Sequence, residues 1–321
     1  MQTTLSLIRR EFTAFFLGPV GYVAFVLFLL GMGVLFGFTF DLLTASGAQG
    51  IEFPMQGLLG NVGFWLIFWV IPPLLTMRLF AEERSTGTLE MLLTAPVRDW
   101  QVVLCKFFAC LAFYVLLWLP TLAYLPVLLN MKVDWPGWDS PRRLIALSAL
   151  TPIGLLLVVF ATDLMRTMGW ILATAGIVSF AIGQVLLQQT GAPFWTLTLG
   201  IDPMPVVTSY IGLFFAGAMF LALGLLISSS VRSQIVAALL SLAVNLVFIL
   251  GGLLVLGGFY VPPSDTTEVR YQVMNYLSVP MHFNQDFSRG LIDSRHLILY
   301  VSVTMAALFL TARSLERRRW Q

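Results

Sequence analysis

The chain has 321 residues, 58% hydrophobic and only 11% charged, with a net charge of +2 and a mean hydropathy of +0.88. A soluble domain is about 25% charged, and a chain this apolar lacks the polar surface to cover itself in water. A soluble enzyme, a disordered chain and a nucleic-acid reader are excluded. What remains is an all-α polytopic membrane protein: lipid offers the backbone no hydrogen-bond partner, and long unbroken apolar runs exclude a barrel, whose strands alternate.

Residues 1–19 place Leu5, Ile8, Phe12 and Phe15 at helical spacing, with Arg9, Arg10 and Glu11 between them. This pattern predicts an amphipathic helix in the cytoplasmic interface, broken from the first span by Gly18-Pro19. The transmembrane domain covers 20–313. Within it, apolar runs near the length of about 20 residues that a crossing needs lie near 20–40, 58–79, 102–128, 144–161, 169–188, 206–228, 235–257 and 297–313. A polar segment at 80–101, a long loop at 258–296 and a tail at 314–321 complete the chain.

Orientation follows from lysine and arginine. With a cytoplasmic N-terminus, Arg9, Arg10, Arg78, Arg84, Arg98, Lys106, Arg166, Arg232, Arg313, Arg317, Arg318 and Arg319 lie inside. Lys132, Arg142, Arg143, Arg270, Arg289 and Arg295 lie outside. The imbalance puts both termini in the cytoplasm and makes the number of crossings even. Segments 144–161 and 169–188 are joined by a short link from Thr162 to Met168 carrying Asp163 and Arg166. They span as a tight hairpin or dip and return together; either preserves parity. Their length and lack of internal charge favour spanning, for eight crossings.

The predicted span interiors hold almost no ionisable side chains, which ion pumps and proton-coupled carriers require. Asn245, the most central strongly polar residue, is expected to make an interhelical hydrogen bond. Gly33 and Gly37 form a GxxxG pair suited to close helix packing and a possible dimer seam. Cys105 and Cys110 are five apart in one apolar run, and His282 and His296 have no zinc-protease spacing, so neither pair makes a metal site. No catalytic cluster stands out. The only lysines are Lys106 and Lys132, and neither sits in a Gly-Lys-Ser/Thr loop. ATP-driven work here needs an ATPase on another polypeptide; this chain is expected to bind no cofactor, with ATP and Mg on that partner.

The most informative stretch is 80–101. Glu82, Glu83 and Arg84 give a charged exit from the second span, and Ser85, Thr86, Gly87 and Thr88 supply turn and cap chemistry. Leu89 to Thr94 then reads as one or two helical turns stopped by Ala95-Pro96. It is either an amphipathic connector resting on the membrane or a docking helix for a partner.

Phe80-Ala-Glu-Glu-Arg-Ser-Thr-Gly-Thr-Leu-Glu-Met-Leu-Leu-Thr-Ala-Pro-Val closely resembles the signature of ABC-2 type permeases, most of all the branch containing gliding-motility and nitrous-oxide-reductase-maturation permeases. Ile8 to Phe12 with Gly18-Pro19, Ser228 to Ala237, His282-Phe283 with Asp286-Phe287 and Arg289-Gly290, and Leu315 to Arg318 are similar to further parts of that branch. The resemblance covers roughly 5–135 and 203–319 and leaves out 136–202, where the two additional apolar segments lie. It implies a type V exporter-like helix bundle of six core spans, here with an added hairpin. It also implies a second permease as homo- or heterodimer partner, two copies of a separate ABC ATPase, and a bacterial inner-membrane location. By position, the coupling contact falls on Glu82, Glu83, Arg84, Thr86, Gly87, Thr88, Leu89 and Glu90. Loop 258–296 is either an ordinary outer loop or, as the resemblance implies, short helices capping the path. The leading function is the permease of an ATP-driven exporter. The alternative is a non-transporting membrane subunit that relays ATPase work to an extracytoplasmic assembly or motility machine.

Overall fold

The computed structural model describes residues 2–45, 54–87, 99–123, 163–188, 204–260 and 269–319. Among them there is no strand. The helices are α1 (Gln2–Leu17), α2 (Pro19–Ala45), α3 (Pro54–Leu59), α4 (Val62–Thr76), α5 (Ala81–Ser85), α6 (Asp99–Trp118), α7 (Asp163–Gln188), α8 (Met204–Ser230), α9 (Gln234–Leu256), α10 (Val269–Leu277), α11 (Val279–Gln285) and α12 (Ser294–Arg319). Short 3-10 turns lie at Leu119–Ala123 and Phe287–Arg289.

Among the described residues, five helical stretches are long and apolar enough to cross a membrane: Gly21–Thr39, Asp99–Leu122, Met204–Ser230, Gln234–Leu256 and Ser294–Arg317. Several elements depart from the sequence expectation. The second span, expected at 58–79, is the shorter α4, about 22 Å at 1.5 Å per residue. Its start is set by Asn61, whose extended backbone and Oδ1, accepting from the Gly63 amide at 2.8 Å, cap the helix after a break at Gly60. Residues 163–168, expected in a link, are the first turns of α7. The tail expected at 314–321 is helical through Arg319, where Arg313 and Glu316 pair at 2.7 Å one turn apart. Segment 144–161 lies outside the described residues.

The chain divides into two compact units, one of residues 1–31, 55–114 and 204–321, the other of 32–54 and 115–203. In the second, Thr39 is buried and returns its hydroxyl to the Leu35 carbonyl at 2.8 Å, and Thr121 does the same to Trp118 at 2.6 Å. These bonds hide polar groups that lipid cannot solvate. On α7, Trp170, Ile171, Ile177 and Val178 are exposed, an apolar surface suited to lipid.

In the first unit α8 is the central element and packs on α4, α9 and α12. The core is aromatic. Phe68 meets Phe220 edge-on at 5.6 Å and Tyr114 at 6.5 Å, while Trp65 meets Phe283 at 5.2 Å. Tyr114 is fully buried and donates to the Leu213 carbonyl at 2.9 Å, so its hydroxyl costs little in the apolar interior. The hydrogen bond expected of Asn245 is absent. The residue is fully buried, but neither amide atom has a partner among the described residues. The link between α4 and α9 is made instead by Trp69, whose indole N–H donates to the Leu242 carbonyl at 2.8 Å.

Within 258–296, the described residues from 269 onward form α10, α11 and the second 3-10 turn, with Val279, Phe283 and Phe287 fully buried. Thr208 donates to the Phe287 carbonyl at 2.6 Å and joins this segment to α8. His282 lies within it. Its Nε2 faces the Asn275 and Tyr276 carbonyls, both at 3.1 Å, so that nitrogen carries the hydrogen; Nδ1 then accepts from the Tyr300 hydroxyl at 2.8 Å. The ring stacks on His296 at 3.6 Å, and His296 Nε2 meets Asp286 at 2.9 Å. Burial first, and the neighbouring His296 second, push His282 down from 6.5 to about 3.

A histidine held neutral in the fold protonates more readily when unfolded. Its contribution to stability is complete above the unfolded value of 6.5 and is lost as pH falls from there toward 3. Thermal unfolding of the detergent-solubilised chain is expected to shift downward between pH 7 and pH 5, by at most about 1.4 kcal/mol per pH unit from this residue. His282→Asn flattens that slope; an unchanged slope would exclude His282 as its source.

Candidate functional site

The site begins where α4 ends. Pro72 and Pro73 have no amide hydrogen to donate, which weakens the helix about one turn from its end. Thr76 returns its hydroxyl to the Pro72 carbonyl at 2.9 Å, and the Met77 amide closes the helix on Pro73. The chain turns through Arg78, Leu79 and Phe80 into the single helical turn of α5.

Two buried groups clamp this elbow. The first is Ser228 at the end of α8. Its Oγ accepts from the Phe80 and Ala81 amides, both at 3.2 Å, and lies 3.3 Å from the Met77 carbonyl. One serine thereby serves backbone groups that the turn exposes. The second is Lys106 on α6, only 2% exposed. Its Nζ binds Glu83 at 2.7 Å and Glu11 at 3.0 Å and stands 5.3 Å from the centre of the Phe80 ring. One ammonium therefore joins α1, α5 and α6. Phe15 of α1 stacks on Phe113 of α6 at 4.8 Å and adds an apolar contact to the same joint.

The flanking charges are also engaged. Arg78 binds both Glu82 oxygens, Nε at 2.7 Å and Nη2 at 2.9 Å. A Cβ on Gly18 would stand 2.8 Å from Arg78 Nη1, so the absence of a side chain there lets the guanidinium lie against the α1–α2 break. Arg84 donates to the Ser230 carbonyl at 2.7 Å, and Arg10 pairs with Glu11 at 2.9 Å. Burial opposes ionisation of Glu11, but Lys106 and then Arg10 outweigh it and hold the carboxyl below its ordinary value. The Arg78 hydrogen bonds lower Glu82 in the same way. Both contributions are present above the ordinary carboxylate range and are lost as pH falls through the lowered values.

Of the residues assigned to coupling from the sequence, Glu82, Glu83 and Arg84 are half-buried and engaged within the chain, whereas Thr86 and Gly87 are exposed. Gly87 has a φ of +74° with nothing within 4 Å of a Cβ, so its constraint is backbone conformation and not space. Thr88, Leu89 and Glu90 lie outside the described residues. Gly33 and Gly37 are both exposed on α2. Sequence reasoning missed Lys106, Glu11, Arg78 and Ser228. The signal for Lys106 was present: a lone lysine five residues into an apolar run needs a carboxylate partner, and Glu11 and Glu83 are among the few acids in the chain.

The pattern of a family described as ABC-2 family transporter protein matches residues 19–189. The chain belongs to this family. The match takes in 136–189, including both additional apolar segments, which the resemblance read from motifs had left out. No curated protein matches the chain. Membership makes this ABC-2 protein a membrane-embedded transporter subunit and not itself the ATPase, associated with an ABC ATPase.

Removing the Lys106 ammonium leaves two carboxylates facing each other in a half-buried site. Lys106→Met is expected to destabilise the protein by about 2–3 kcal/mol, below the value for a fully buried pair because Glu11 and Glu83 keep some hydration. Adding Glu83→Gln to Lys106→Met removes one orphan charge and recovers part of the loss. Unfolding in mixed detergent reads both, and purely additive effects would show that the two residues are not coupled.

Proposed function

We propose that this chain is the permease subunit of an ATP-driven ABC-2 exporter, and that the segment from α5 through Glu90 receives the ATPase. The observation that carries this reading is the division of labour at the elbow. Glu82, Glu83 and Arg84 are tied inward to Arg78, Lys106 and Ser230, while Ser85, Thr86 and Gly87 remain exposed. A surface that must transmit force needs an exposed contact on a rigid mount, and this segment has both. The charge asymmetry along the chain favours a cytoplasmic side for the elbow and both termini, and the family resemblance favours a bacterial inner membrane. The working unit is two permeases with two ATPase copies, the ATPases holding ATP and Mg, and Gly33 and Gly37 offer α2 as a packing face between permeases. Similarity of motifs favours the gliding-motility and nitrous-oxide-reductase-maturation branch. Segment 144–161 and α7 form a hairpin that brings the crossings to eight.

Purification of the chain from native membranes is expected to bring down a Walker-type ATPase on a different polypeptide. Gly87→Val forces a β-branched residue into the left-handed region, at a local cost of at least about 1–2 kcal/mol. It should leave membrane insertion intact and lower permease-stimulated ATP hydrolysis, as should Glu90→Lys. Full stimulation in both variants rejects the segment as the ATPase contact. The hairpin is tested separately: Thr167→Cys should react with an impermeant thiol reagent only from the cytoplasmic side, and labelling from outside would exclude the hairpin.

A further inference from the structure

A cleft of about 290 Å³ lies beside the Lys106 joint, between α1 and the α4–α5 elbow. Three cations, Arg10, Arg78 and Lys106, and three carboxylates, Glu11, Glu82 and Glu83, line it together with apolar side chains that include Phe15 and Leu75. The formal charges cancel, so the cleft has no net preference for a simple anion or a simple cation. It offers both signs at once. The donors are not exhausted. Arg78 uses Nε and Nη2 on Glu82, and Arg10 uses Nη2 on Glu11, which leaves each guanidinium with further N–H groups. The Glu82 oxygens each accept one hydrogen bond from Arg78 and keep a second lone pair.

From this geometry we infer that the cleft binds the headgroup of a zwitterionic aminophospholipid, with the phosphate on Arg10 and Arg78 and the ammonium on Glu82. The volume is that of roughly ten waters, room for a headgroup and not for acyl chains. The chains have a path outside it. Gly21 lines the cleft, and the α2 residues that follow, Tyr22, Val23 and Val26, are each more than half exposed. A headgroup in the cleft places its acyl chains along this apolar strip. A soluble phosphorylated amine would leave the strip uncovered, so the lipid is the occupant that satisfies both surfaces. Phosphatidylcholine fits poorly because its methylated nitrogen has no N–H to give a carboxylate. Phosphatidylglycerol fits poorly because it brings a negative charge to a neutral cleft with no cation to meet the acids. The bound headgroup bridges α1 and α5 beside Lys106, and this inference does not depend on where the ATPase docks.

Native mass spectrometry of the full chain in mild detergent, titrated with dioleoyl-phosphatidylethanolamine, -phosphatidylcholine or -phosphatidylglycerol, tests the site. Loss of charge-assisted hydrogen bonds to the ammonium corresponds to about tenfold weaker binding, so phosphatidylethanolamine should bind about tenfold more tightly than either competitor. Ala14→Trp, which fills the cleft without touching its charges, should erase that preference while Ala14→Ser keeps it. Arg10→Gln, at a side chain 60% exposed and so a safe site for folding, should weaken phosphatidylethanolamine severalfold. Equal affinity for all three lipids, a preference for phosphatidylglycerol, or a phosphatidylethanolamine preference that survives both Ala14→Trp and Arg10→Gln would overturn the assignment. So would glycerophosphoethanolamine binding as tightly as the intact lipid, which would mark a soluble ligand instead.

Discussion

A charged amine out of water is tolerable only where carboxylates meet it, and that constraint shapes one end of this bundle. Lys106 lies at the third turn of a helix that is otherwise apolar from Val102 onward, with Glu11 and Glu83 as its two acceptors. The acids come from segments far apart in sequence: α1 and the short helix α5 that follows α4. Satisfying one ammonium therefore fixes α1 and α5 against α6. Arg10 holds Glu11 from a further side and the Phe80 ring lies against the lysine, while Arg78 binds the neighbouring Glu82. A buried ion pair of this kind adds little net stability over an apolar replacement, but breaking it from one side is costly. It acts as a specification of geometry, holding together pieces that have no hydrophobic reason to meet at that angle.

The rest of the first unit supports this joint from the opposite side. α8 carries the packing of α4, α9 and α12 and presents Ser228 to the amides that the elbow leaves open. The elbow is therefore mounted on two helices, α6 through an ion pair and α8 through a serine hydroxyl. At the other end of α8, Thr208 and Ser209 hold the second 3-10 turn through the Phe287 carbonyl. α8 is therefore a single long helix whose two ends are both hydrogen-bonded to irregular segments.

The fold class was legible because hydropathy alone dictates it: runs near 20–40, 206–228, 235–257 and 297–313 coincide with helices long enough to span. Where the reading drifted, a local polar residue decided the boundary. Asn61 caps α4 and cut short a run that continued in composition. Arg313 and Glu316 carried the last helix past the end of its apolar stretch. The Phe80 to Val97 motif drew attention to this stretch of the chain, in which Thr86 and Gly87 are exposed. Of the mount, only the need of Lys106 for a carboxylate was legible; Glu11, Glu83, Lys106 and Ser228 lie 23 to 217 positions apart in the chain, and the pairing of a charge with a distant partner has no periodicity to reveal it. Asn245 shows the converse: its burial was readable, but the partner expected for it is not among the described residues.

The central claim is that one ammonium holds α1 and the elbow as a unit. Hydrogen exchange of the Lys106→Met protein against the parent measures this directly, read over amides 8–15 and 80–87. The account predicts that protection falls in both segments together, while the 208–225 amides of α8 stay unchanged. Loss of protection in one segment alone, or in neither, would contradict it.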